Sequence, residues 1–344
     1  MEYNKKLKIS VIMATYNGSR FIEKQLHSLL AQTRLPDEVI FRDDVSSDNT
    51  VQIIEKFIKI NELENWKIIC NEKNLGYIKN FYKLLDDASG DIIFFSDQDD
   101  IWYSDKIYKM SEILEKNENI LHLYGFADVI DENDNNIKTK WFYNTMGGGY
   151  LKQVEFNIIN IQKTVPGCVS CFKKKIIYNI VNNFPKKVLL SFHPDIIVYR
   201  YACLLNKSFI INKNVIKHRI HNNNASQNNI NIKLFYKKDL QKNIIKSRIL
   251  FSSWSKILSE NNLNSNFKKI NTLKYYEIFY KKRKSFLKKP SIKKILNLLK
   301  NYKSKNEKEI IFRDFLYAYN INYILILIPK FLYLKFLKFI SFFK

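Results

Sequence analysis

The chain has 344 residues, of which 46% are hydrophobic, and it carries a formal net charge of +24. A chain of this length and apolar content can bury a sizeable core, which excludes a disordered polyelectrolyte. The charge is uneven: residues 1–226 hold 30 Lys and Arg against 27 Asp and Glu, whereas residues 227–344 hold 27 against 6. We therefore expect a globular domain over 1–226 and a basic helical region over 227–344.

Four cysteines occur in the chain, and their spacing forms no disulfide framework. Cys168 and Cys171 form a single Cys-x-x-Cys pair without a second pair or a nearby histidine, so we interpret them as small buried residues. The first residues contain no apolar stretch of the kind found in signal peptides. These features predict a protein of the reducing cytosol.

Strand and helix patterns alternate over the first hundred residues. Short apolar runs, typical of buried strands, recur between segments in which apolar residues have helical spacing. The resulting β-α-β-α-β-α-β order predicts an α/β fold with a parallel sheet and helices on both faces. The predicted strands are Lys8–Ala14, Glu38–Arg42, Trp66–Cys70 and Ile92–Phe95.

Three carboxylates, Asp97, Asp99 and Asp100, directly follow the fourth predicted strand. Ligands of open α/β sheets bind at the carboxyl ends of the strands. Carboxylates packed there repel one another unless a cation holds them, and oxygen ligands suit a hard ion such as Mg²⁺ or Mn²⁺. The alternative interpretation is a solvated acidic turn.

The remainder of the first domain has weaker patterns. Ser104 and Asp105 have the pattern of an N-cap and an acidic first turn, which predicts a helix to about Lys116. His193–Asp195 opens a later helix, with proline near its first turn. The other predicted elements are strands over Leu121–Ala127 and Val165–Phe172, and a hairpin of Phe209–Ile211 with Val215–Ile220 around Asn212–Asn214.

Five short segments share a recognisable order of polar, acidic and apolar residues. They are Ser10–Asn17, Leu29–Thr33, the strand end Asp43–Thr50, Asn74-x-Gly76, and Phe95-x-Asp97-Gln98-Asp99-Asp100-Ile101-Trp102-x-x-Asp105-Lys106. Taken together, these segments resemble family 2 glycosyltransferases of the GT-A fold over residues 8 to about 226. The resemblance is closest to the bacterial rhamnosyltransferase-like enzymes that build surface polysaccharides.

The resemblance implies a role for each matching residue. Asp195 matches the family's catalytic base, a carboxylate that takes the proton from an acceptor hydroxyl. The other implied residues are Ala14, Tyr16 and Asp44 for the nucleotide base and ribose; Lys79, Asp97, Arg219 and His221 for the rest of the donor; and Asp97, Asp99 and Asp100 for Mn²⁺ or Mg²⁺. The simpler alternatives are helix capping for Asp44, a helix-terminal charge for Asp195, and solvation for Lys79, Arg219 and His221.

Val45 departs from the family pattern, which usually has glycine after the second-strand aspartates. A β-branched residue is costly where a turn demands a positive φ angle. We therefore expect this turn to adopt another shape.

The resemblance implies an inverting, metal-dependent glycosyltransferase. Its donor would be a UDP- or dTDP-linked sugar, and its acceptor a hydroxyl of a lipid-linked saccharide in cell-surface polysaccharide synthesis. A sugar nucleotidyltransferase remains an alternative, although Thr15–Ser19 is not the Gly/Arg/Lys-rich loop that such enzymes normally show after the first strand. A non-catalytic nucleic-acid- or membrane-binding protein is the other alternative, and it would need none of the carboxylates.

The basic region ends in an aromatic, lysine-rich segment. Phe315–Pro329 is free of charged residues but is shorter than a membrane span. From Pro329 onwards, the lysines gather on one side of a helical wheel, which fits a helix lying on anionic lipid. We expect a cytoplasmic protein held on the inner face of the membrane, and nucleic acid is the disfavoured partner because no nucleic-acid motif is present. Compositional bias is a further explanation for the lysine excess.

Overall fold

The computed structural model describes residues 6–138, 149–157, 160–161, 163–184, 186–221, 248, 251–255, 259, 267–288 and 292–302. The chain separates into two compact units, Met1–Asn224 and Ala225–Lys344. Each unit is described below by itself.

A nine-stranded sheet forms the framework of the described part of the first unit. Its strands are β1 Ile9–Thr15, β2 Glu38–Asp43, β3 Trp66–Cys70, β4 Ile92–Ser96, β5 Ile101–Trp102, β6 His122–Ile130, β7 Leu151–Gln153, β8 Ser170–Lys173 and β9 Ser208–Arg219. Their order in the sheet is β3-β2-β1-β4-β8-β6-β9-β5, and β7 also pairs with β9.

Helices connect and flank these strands. In the first unit they are α1 Ile22–Leu30, α2 Thr50–Ile60, α3 Tyr77–Asp87, α4 Lys106–Lys116, α5 Lys175–Asn183, α6 Lys186–Leu189 and α7 Pro194–Leu204, with a 3₁₀ turn at Gly167–Val169. The apolar positions of α1 that face the sheet, Ile22, Leu26 and Leu29, are fully buried. This stripe is the one that helical spacing predicts for a helix packed on a sheet.

The β3-β2-β1-β4 part of the sheet is parallel, as the alternating pattern predicts. Every residue of β4 is buried, which explains why its sequence reads as a continuous apolar run. β8 runs antiparallel between β4 and β6, whereas β6 and β9 are parallel to each other. The predicted mixed α/β architecture is therefore confirmed.

The predicted hairpin at Asn212–Asn214 is wrong, because β9 is one continuous strand of 12 residues. The asparagine-rich stretch forms a bulge: Tyr124 of β6 pairs with Ile210, but Phe126 pairs with Asn214. The bulge passes so close to Gly125 that a Cβ there would lie 2.7 Å from the Lys213 carbonyl oxygen. Glycine in the partner strand thus accommodates residues whose composition resembles a turn.

The predicted N-cap at Ser104 is also wrong. Helix α4 begins at Lys106, and its N-cap residue, Asp105, makes no side-chain capping hydrogen bond. The Asp105 carboxylate instead accepts a hydrogen bond from the ammonium group of Lys213 in the β9 bulge. A tertiary ion pair has replaced the local cap.

The described part of the second unit contains helices α8 Phe267–Lys288 and α9 Ile292–Asn301. The sequence of the basic region predicts helices over Phe235–Ser259, Asn271–Leu287 and Ile292–Tyr302; the last two correspond to α8 and α9, and most of the first lies outside the described residues. Aromatic side chains pack together in the described part of this unit, where the ring centroids of Phe251 and Tyr280 lie 5.5 Å apart. Within the described residues, no helix combines the length and apolar character needed to cross a membrane. The segment from 303 to 344, which carries the predicted lipid-binding helix, lies outside the described residues.

Candidate functional site

The acidic loop follows β4, next to the end of β1. These two strands are parallel neighbours, with Met13 paired to Ser96, so their carboxyl ends lie at the same edge of the sheet. The apolar strand is buried, and the chain emerges from the core only at Asp97. The structure therefore places Asp97–Asp100 beside the turn that begins at Tyr16.

Gln98 joins the acidic loop to this turn. Its side-chain oxygen accepts a hydrogen bond from the backbone N–H of Tyr16 (2.9 Å), and its side-chain nitrogen donates to the Tyr16 carbonyl (3.0 Å). The sequence analysis assigned no role to Gln98. The sequence signal that could have identified Gln98 was its position between two predicted metal ligands. A neutral side chain contributes no charge to a metal site, so its presence there indicates another role.

The end of β9 supplies basic side chains to the acidic loop. The Asp100 carboxylate accepts hydrogen bonds from Nδ1 of His218 (2.8 Å) and the backbone N–H of Arg219 (3.2 Å). The Asp99 carboxylate accepts one from Nε2 of His221 (2.7 Å). Residues about 120 positions apart thus form one cluster of carboxylates and imidazoles.

Burial and mutual repulsion shift the pKa values in this cluster. Burial, followed by the charges of Asp100 and Asp99, raises the pKa of Asp97 to about 7. Burial would raise the pKa of Asp100 too, but the charge and hydrogen bond of His218 hold it below its usual value. Burial would lower the pKa of His218, yet the Asp100 carboxylate raises it. Asp100 and His218 therefore form an ion pair. The charge of His218 also acts to lower the pKa of Asp97, but burial and the two neighbouring carboxylates outweigh it.

Arg219 does not have the exposed position expected of a phosphate ligand. Its side chain is completely buried. Its Nε donates to the Asp99 carbonyl (2.9 Å), and its guanidinium pairs with Asp134 and donates to the Asp131 carbonyl. These contacts hold the acidic loop against the 131–134 turn, and the contact of Arg219 with the donor, which the resemblance implies, stays a prediction.

A second buried cation lies beneath the acidic loop. The Lys106 ammonium donates to the Cys168 carbonyl (2.6 Å) and lies 3.3 Å from the centroid of the Trp102 ring. Burial lowers the pKa of Lys106 to about 7, although the charges of Cys168, Asp100 and Asp97 oppose this shift. The only sequence signal was a lysine on the apolar face of α4.

The predicted nucleotide end of the site surrounds Asp44. Its buried carboxylate accepts hydrogen bonds from the Asn71 side chain (2.9 Å) and from the backbone N–H groups of Leu75 (2.7 Å) and Gly76 (2.8 Å). Asp44 does not cap the helix that follows it in sequence, so that alternative is wrong. It holds the loop before α3 against the end of β2.

The expectation that the Val45 turn would adopt another shape is wrong. Val45 has φ of +68°, in the left-handed region that favours glycine, and it is 44% exposed. The two buried carboxylates directly before Val45 explain how this conformation is maintained. Asp44 is held by the loop before α3, and Asp43 accepts hydrogen bonds from Ser46 and Thr15.

Three other predicted donor residues lie at the surface or strand end. Ala14 is half-buried in β1, and Tyr16 is 51% exposed, a suitable position for a ring that stacks on a base. Lys79 is exposed on the first turn of α3. Among the described residues, Lys79 does not belong to the cavity wall that includes Asp99 and His221.

Asp195 is the second residue of α7 and contacts the 3₁₀ turn. Its carboxylate accepts hydrogen bonds from the backbone N–H of Gly167 (3.0 Å) and of Ile196 (2.8 Å). A Cβ at Gly167 would lie 3.3 Å from that of Asp195, so glycine permits this close approach. Burial raises the pKa of Asp195, outweighing the opposing effect of His193. A carboxylate with a raised pKa is suited to accepting a proton.

Tyr77 connects Asp195 to the acidic loop. Although Tyr77 as a whole is 39% exposed, desolvation of its hydroxyl and then the charges of Asp97 and Asp195 raise its pKa well above the ordinary value. Its ring lies 5.2 Å from that of His193. Asp195 and Asp97 therefore both lie close enough to the Tyr77 hydroxyl to affect its pKa.

A cavity of about 270 Å³ opens beside the acidic loop. It includes Asp99 and His221, which the sequence analysis singled out, and Gln98, which it did not. The turn before α1 and the 131–134 turn complete the wall. The lining residues are Asn17, Gly18, Arg20, Phe21, Gln98, Asp99, Glu132 and His221.

Comparisons with known proteins are consistent with this geometry. A family model described as glycosyl transferase family 2 matches residues 10–180. The dTDP-rhamnosyl transferase RfbG of Shigella flexneri is 31% identical over 243 residues, which cover 66% of this chain and 77% of that protein. The Escherichia coli UDP-Glc:alpha-D-GlcNAc-diphosphoundecaprenol beta-1,3-glucosyltransferase WfgD is 34% identical over 125 residues, covering 36% and 47% of the two chains.

Among solved structures, Staphylococcus aureus TarS 1-349 in complex with UDP-GlcNAc has a TM-score of 0.60 to this chain at 19% identity. The match covers 89% of this chain and 81% of the other. At this level of identity the likeness shows a shared GT-A fold.

Proposed function

The chain belongs to glycosyl transferase family 2, and from that premise we propose that it inverts the anomeric configuration of a sugar as it moves the sugar to a lipid-linked saccharide. The donor is a nucleotide sugar, and the reaction belongs to polysaccharide biosynthesis. The observation that carries the proposal is the Asp99–His221 pair, which lines the cavity at the end of β4.

The relatives support particular substrates. RfbG is a dTDP-rhamnosyl transferase, so dTDP-rhamnose is the first donor to test. TarS was crystallised with UDP and UDP-GlcNAc, which makes UDP-sugars the second class. The printed name of WfgD specifies a diphosphoundecaprenol-linked acceptor, which supports a lipid-linked acceptor here. Family membership disfavours the nucleotidyltransferase and the non-catalytic alternatives.

The residues at the end of β4 fit a divalent cation. Burial and then the charges of Asp100 and Asp99 raise the pKa of Asp97 to about 7, and a cation would relieve the repulsion among the carboxylates. One oxygen of Asp100 is buried without a hydrogen-bond partner among the described residues. Asp97 and Asp99 would hold Mn²⁺ or Mg²⁺, with His221 orienting the Asp99 carboxylate. When bound, such an ion would supply positive charge that stabilises the leaving nucleoside diphosphate.

Asp195 is the proposed base. The N–H groups of Gly167 and Ile196 fix the direction of its carboxylate, so the base is oriented before substrate arrives. Its raised pKa makes it a stronger proton acceptor than an exposed aspartate. Direct attack of the activated acceptor hydroxyl on the anomeric carbon is a single displacement, and it inverts that centre.

Tyr16 and Asp44 are the proposed contacts to the nucleoside. Tyr16 offers an exposed ring for stacking on the base. Asp44 holds the loop around Gly76, so it shapes the nucleoside pocket as well as offering an acceptor. Lys79, exposed on α3, remains a proposed contact to the donor.

We also propose that the protein associates with the inner face of the membrane through its basic region. Residues 227–344 hold 27 Lys and Arg against 6 Asp and Glu, which favours an anionic surface. Phe331, Phe336 and Phe339 supply apolar side chains for insertion. A lipid-linked acceptor would give a membrane-held enzyme a higher local concentration of substrate.

The test is release of nucleoside diphosphate from a panel of dTDP-, UDP- and GDP-sugars, with Mn²⁺ and a diphosphoundecaprenol-linked acceptor. We expect turnover of at least one donor by the wild type and none by Asp99→Asn. NMR of the product should show an inverted anomeric centre. Retention of configuration would contradict the single displacement, and an inactive wild type across the panel would contradict the donor class.

A further inference from the structure

Arg20 lies in the turn before α1 and lines the same cavity as Asp99 and His221. Its guanidinium forms an ion pair with Glu132 at 2.5 Å, and both residues belong to the cavity wall. The Arg20 side chain is 62% exposed in this pair, whereas that of Glu132 is 31% exposed. The cation is therefore held at the mouth of the cavity, accessible to a ligand.

A second ion pair, close to that of Arg20 and Glu132 but outside the cavity, provides a comparison. Lys24, one helical turn after Arg20, pairs with Asp134, two residues after Glu132. Both pairs thus connect the start of α1 to the 131–134 turn, but Lys24 and Asp134 do not line the cavity. Exposed ion pairs contribute little to stability. Attachment of the turn therefore does not require an arginine at position 20.

The charges within the cavity explain what an arginine adds. Asp99 and Glu132 are acidic, and among the described residues that line this cavity Arg20 is the only Lys or Arg. A nucleoside diphosphate entering beside Asp99 brings further negative charge. A guanidinium donates two parallel hydrogen bonds to phosphate oxygens, with a geometry that lysine lacks.

Packing against Phe21 orients the Arg20 side chain. Its guanidinium carbon lies 4.9 Å from the centroid of the Phe21 ring. Phe21 is itself held in place, because the Arg219 guanidinium lies 4.7 Å and the His221 ring 4.8 Å from the same ring. Arg219 and His221, which contact the acidic loop, therefore also hold the Phe21 ring on which the Arg20 guanidinium packs.

We propose that Arg20 binds the diphosphate of the donor, and that Glu132 occupies the guanidinium until the donor displaces it. This inference rests on the proposed function, since it assumes that a nucleoside diphosphate enters this cavity. Glu132 then acts as a competitor for Arg20, so the two partners of the ion pair have opposite effects on donor affinity. If the pair were only structural, removal of either partner would have the same effect.

The experiment measures the binding of UDP and dTDP with Mn²⁺ by calorimetry, using the full chain. The variants are Arg20→Gln, Arg20→Lys, Glu132→Gln and Lys24→Gln, with circular dichroism as a check of folding. We expect Arg20→Gln to weaken binding of the diphosphate about tenfold or more, because a charge-assisted hydrogen bond is lost. Arg20→Lys should recover part of that loss, Glu132→Gln should tighten binding, and Lys24→Gln should leave it unchanged.

Two results would overturn the inference. One is unchanged diphosphate binding by Arg20→Gln, and the other is equal weakening by Arg20→Gln and Glu132→Gln. In either case, wild-type binding and sugar transfer would leave the proposed function standing. A wild type that binds neither UDP nor dTDP would overturn both this inference and the use of these donors.

Discussion

Nε2 of His221 lies 2.7 Å from the Asp99 carboxylate, although the two residues are 122 positions apart in the chain. An ionised carboxylate only accepts hydrogen bonds, so His221 carries its proton on Nε2. The side chains are 10% and 13% exposed at the cavity wall. The orientation of the proposed metal ligand therefore depends on the residue that follows the end of β9.

His221→Ala should increase the concentration of Mn²⁺ needed for half-maximal activity about 10–100-fold. This is the usual cost of removing a residue that orients a metal ligand. His27→Ala is the control, because His27 is exposed on α1 and packs against Phe57. Identical metal dependence in His221→Ala and the wild type would contradict the orienting role.

Chelation should remove activity, and Mn²⁺ or Mg²⁺ should restore it. The packed carboxylates of the acidic loop are oxygen ligands suited to these ions. Binding itself can be measured as an increase in melting temperature on addition of Mn²⁺, and Asp99→Asn should abolish that increase. Full activity in excess chelator would show that the enzyme works without a divalent ion.

Asp195→Asn should lower kcat by about 10²-fold or more while leaving donor KM near the wild-type value, because a general base is lost. Asp86→Asn, on the exposed side of α3, is the matched control for loss of one charge. A loss of donor affinity with unchanged kcat would reassign Asp195 to binding.

The pH dependence provides a second test of Asp195. The base works only when ionised, and burial raises its pKa above the ordinary aspartate value. The wild-type kcat should therefore fall as pH decreases, with a midpoint higher than that of an exposed carboxylate. The Asp195→Asn variant should lack this decrease. A decrease that persists in the variant would belong to another group.

Val45→Gly should stabilise the first unit. A left-handed φ costs an L-residue about 1–2 kcal/mol, and the greater freedom of glycine when unfolded offsets about 0.5–1 kcal/mol of that. The expected gain is about 1–4 °C in melting temperature. Val181→Gly is a control of opposite sign, since Val181 is exposed in helix α5 and glycine destabilises a helix. A lower melting temperature in Val45→Gly would show that the valine side chain makes compensating contacts.

Truncation before Phe315 should release the protein from anionic vesicles without abolishing hydrolysis of a soluble donor. The truncated residues carry the charge-free stretch and the lysine-rich, aromatic end of the chain. Salt should weaken the electrostatic part of binding, whereas apolar insertion should persist. The measurement is vesicle co-sedimentation at low and high salt. Equal binding by both forms would exclude this segment as the anchor, and selective retention on RNA would favour the nucleic-acid alternative.

Local patterns were sufficient to predict the first half of the fold. Ile92–Phe95 is an apolar run because β4 is buried, and the acidic residues follow it directly in sequence. The β9 strand was predicted incorrectly because its continuity depends on Gly125, almost ninety residues earlier. Composition around Asn212 indicated a turn, but pairing with β6 outweighed that preference.

The site was predicted where its residues are adjacent in sequence or match the family. The partners of those residues were missed, because side-chain direction depends on tertiary packing. Lysine is usually a surface residue, yet the Lys106 ammonium is buried against the Trp102 ring and the Cys168 carbonyl. The sequence around Arg20 and Glu132 shows no pattern that predicts a function, because the two residues come together only at the cavity that they line.

The double hydrogen bond between Gln98 and the Tyr16 backbone makes the two ends of the donor site mechanically dependent on each other. We expect a displacement of the turn at Tyr16, the proposed nucleoside contact, to move the loop that bears Asp99. A donor with an ill-fitting base would then lose catalytic rate in addition to affinity, because its diphosphate would meet a misaligned loop. We therefore expect a change of nucleotide to alter kcat as well as KM. The side chain responsible would be Gln98, which takes no part in the chemistry.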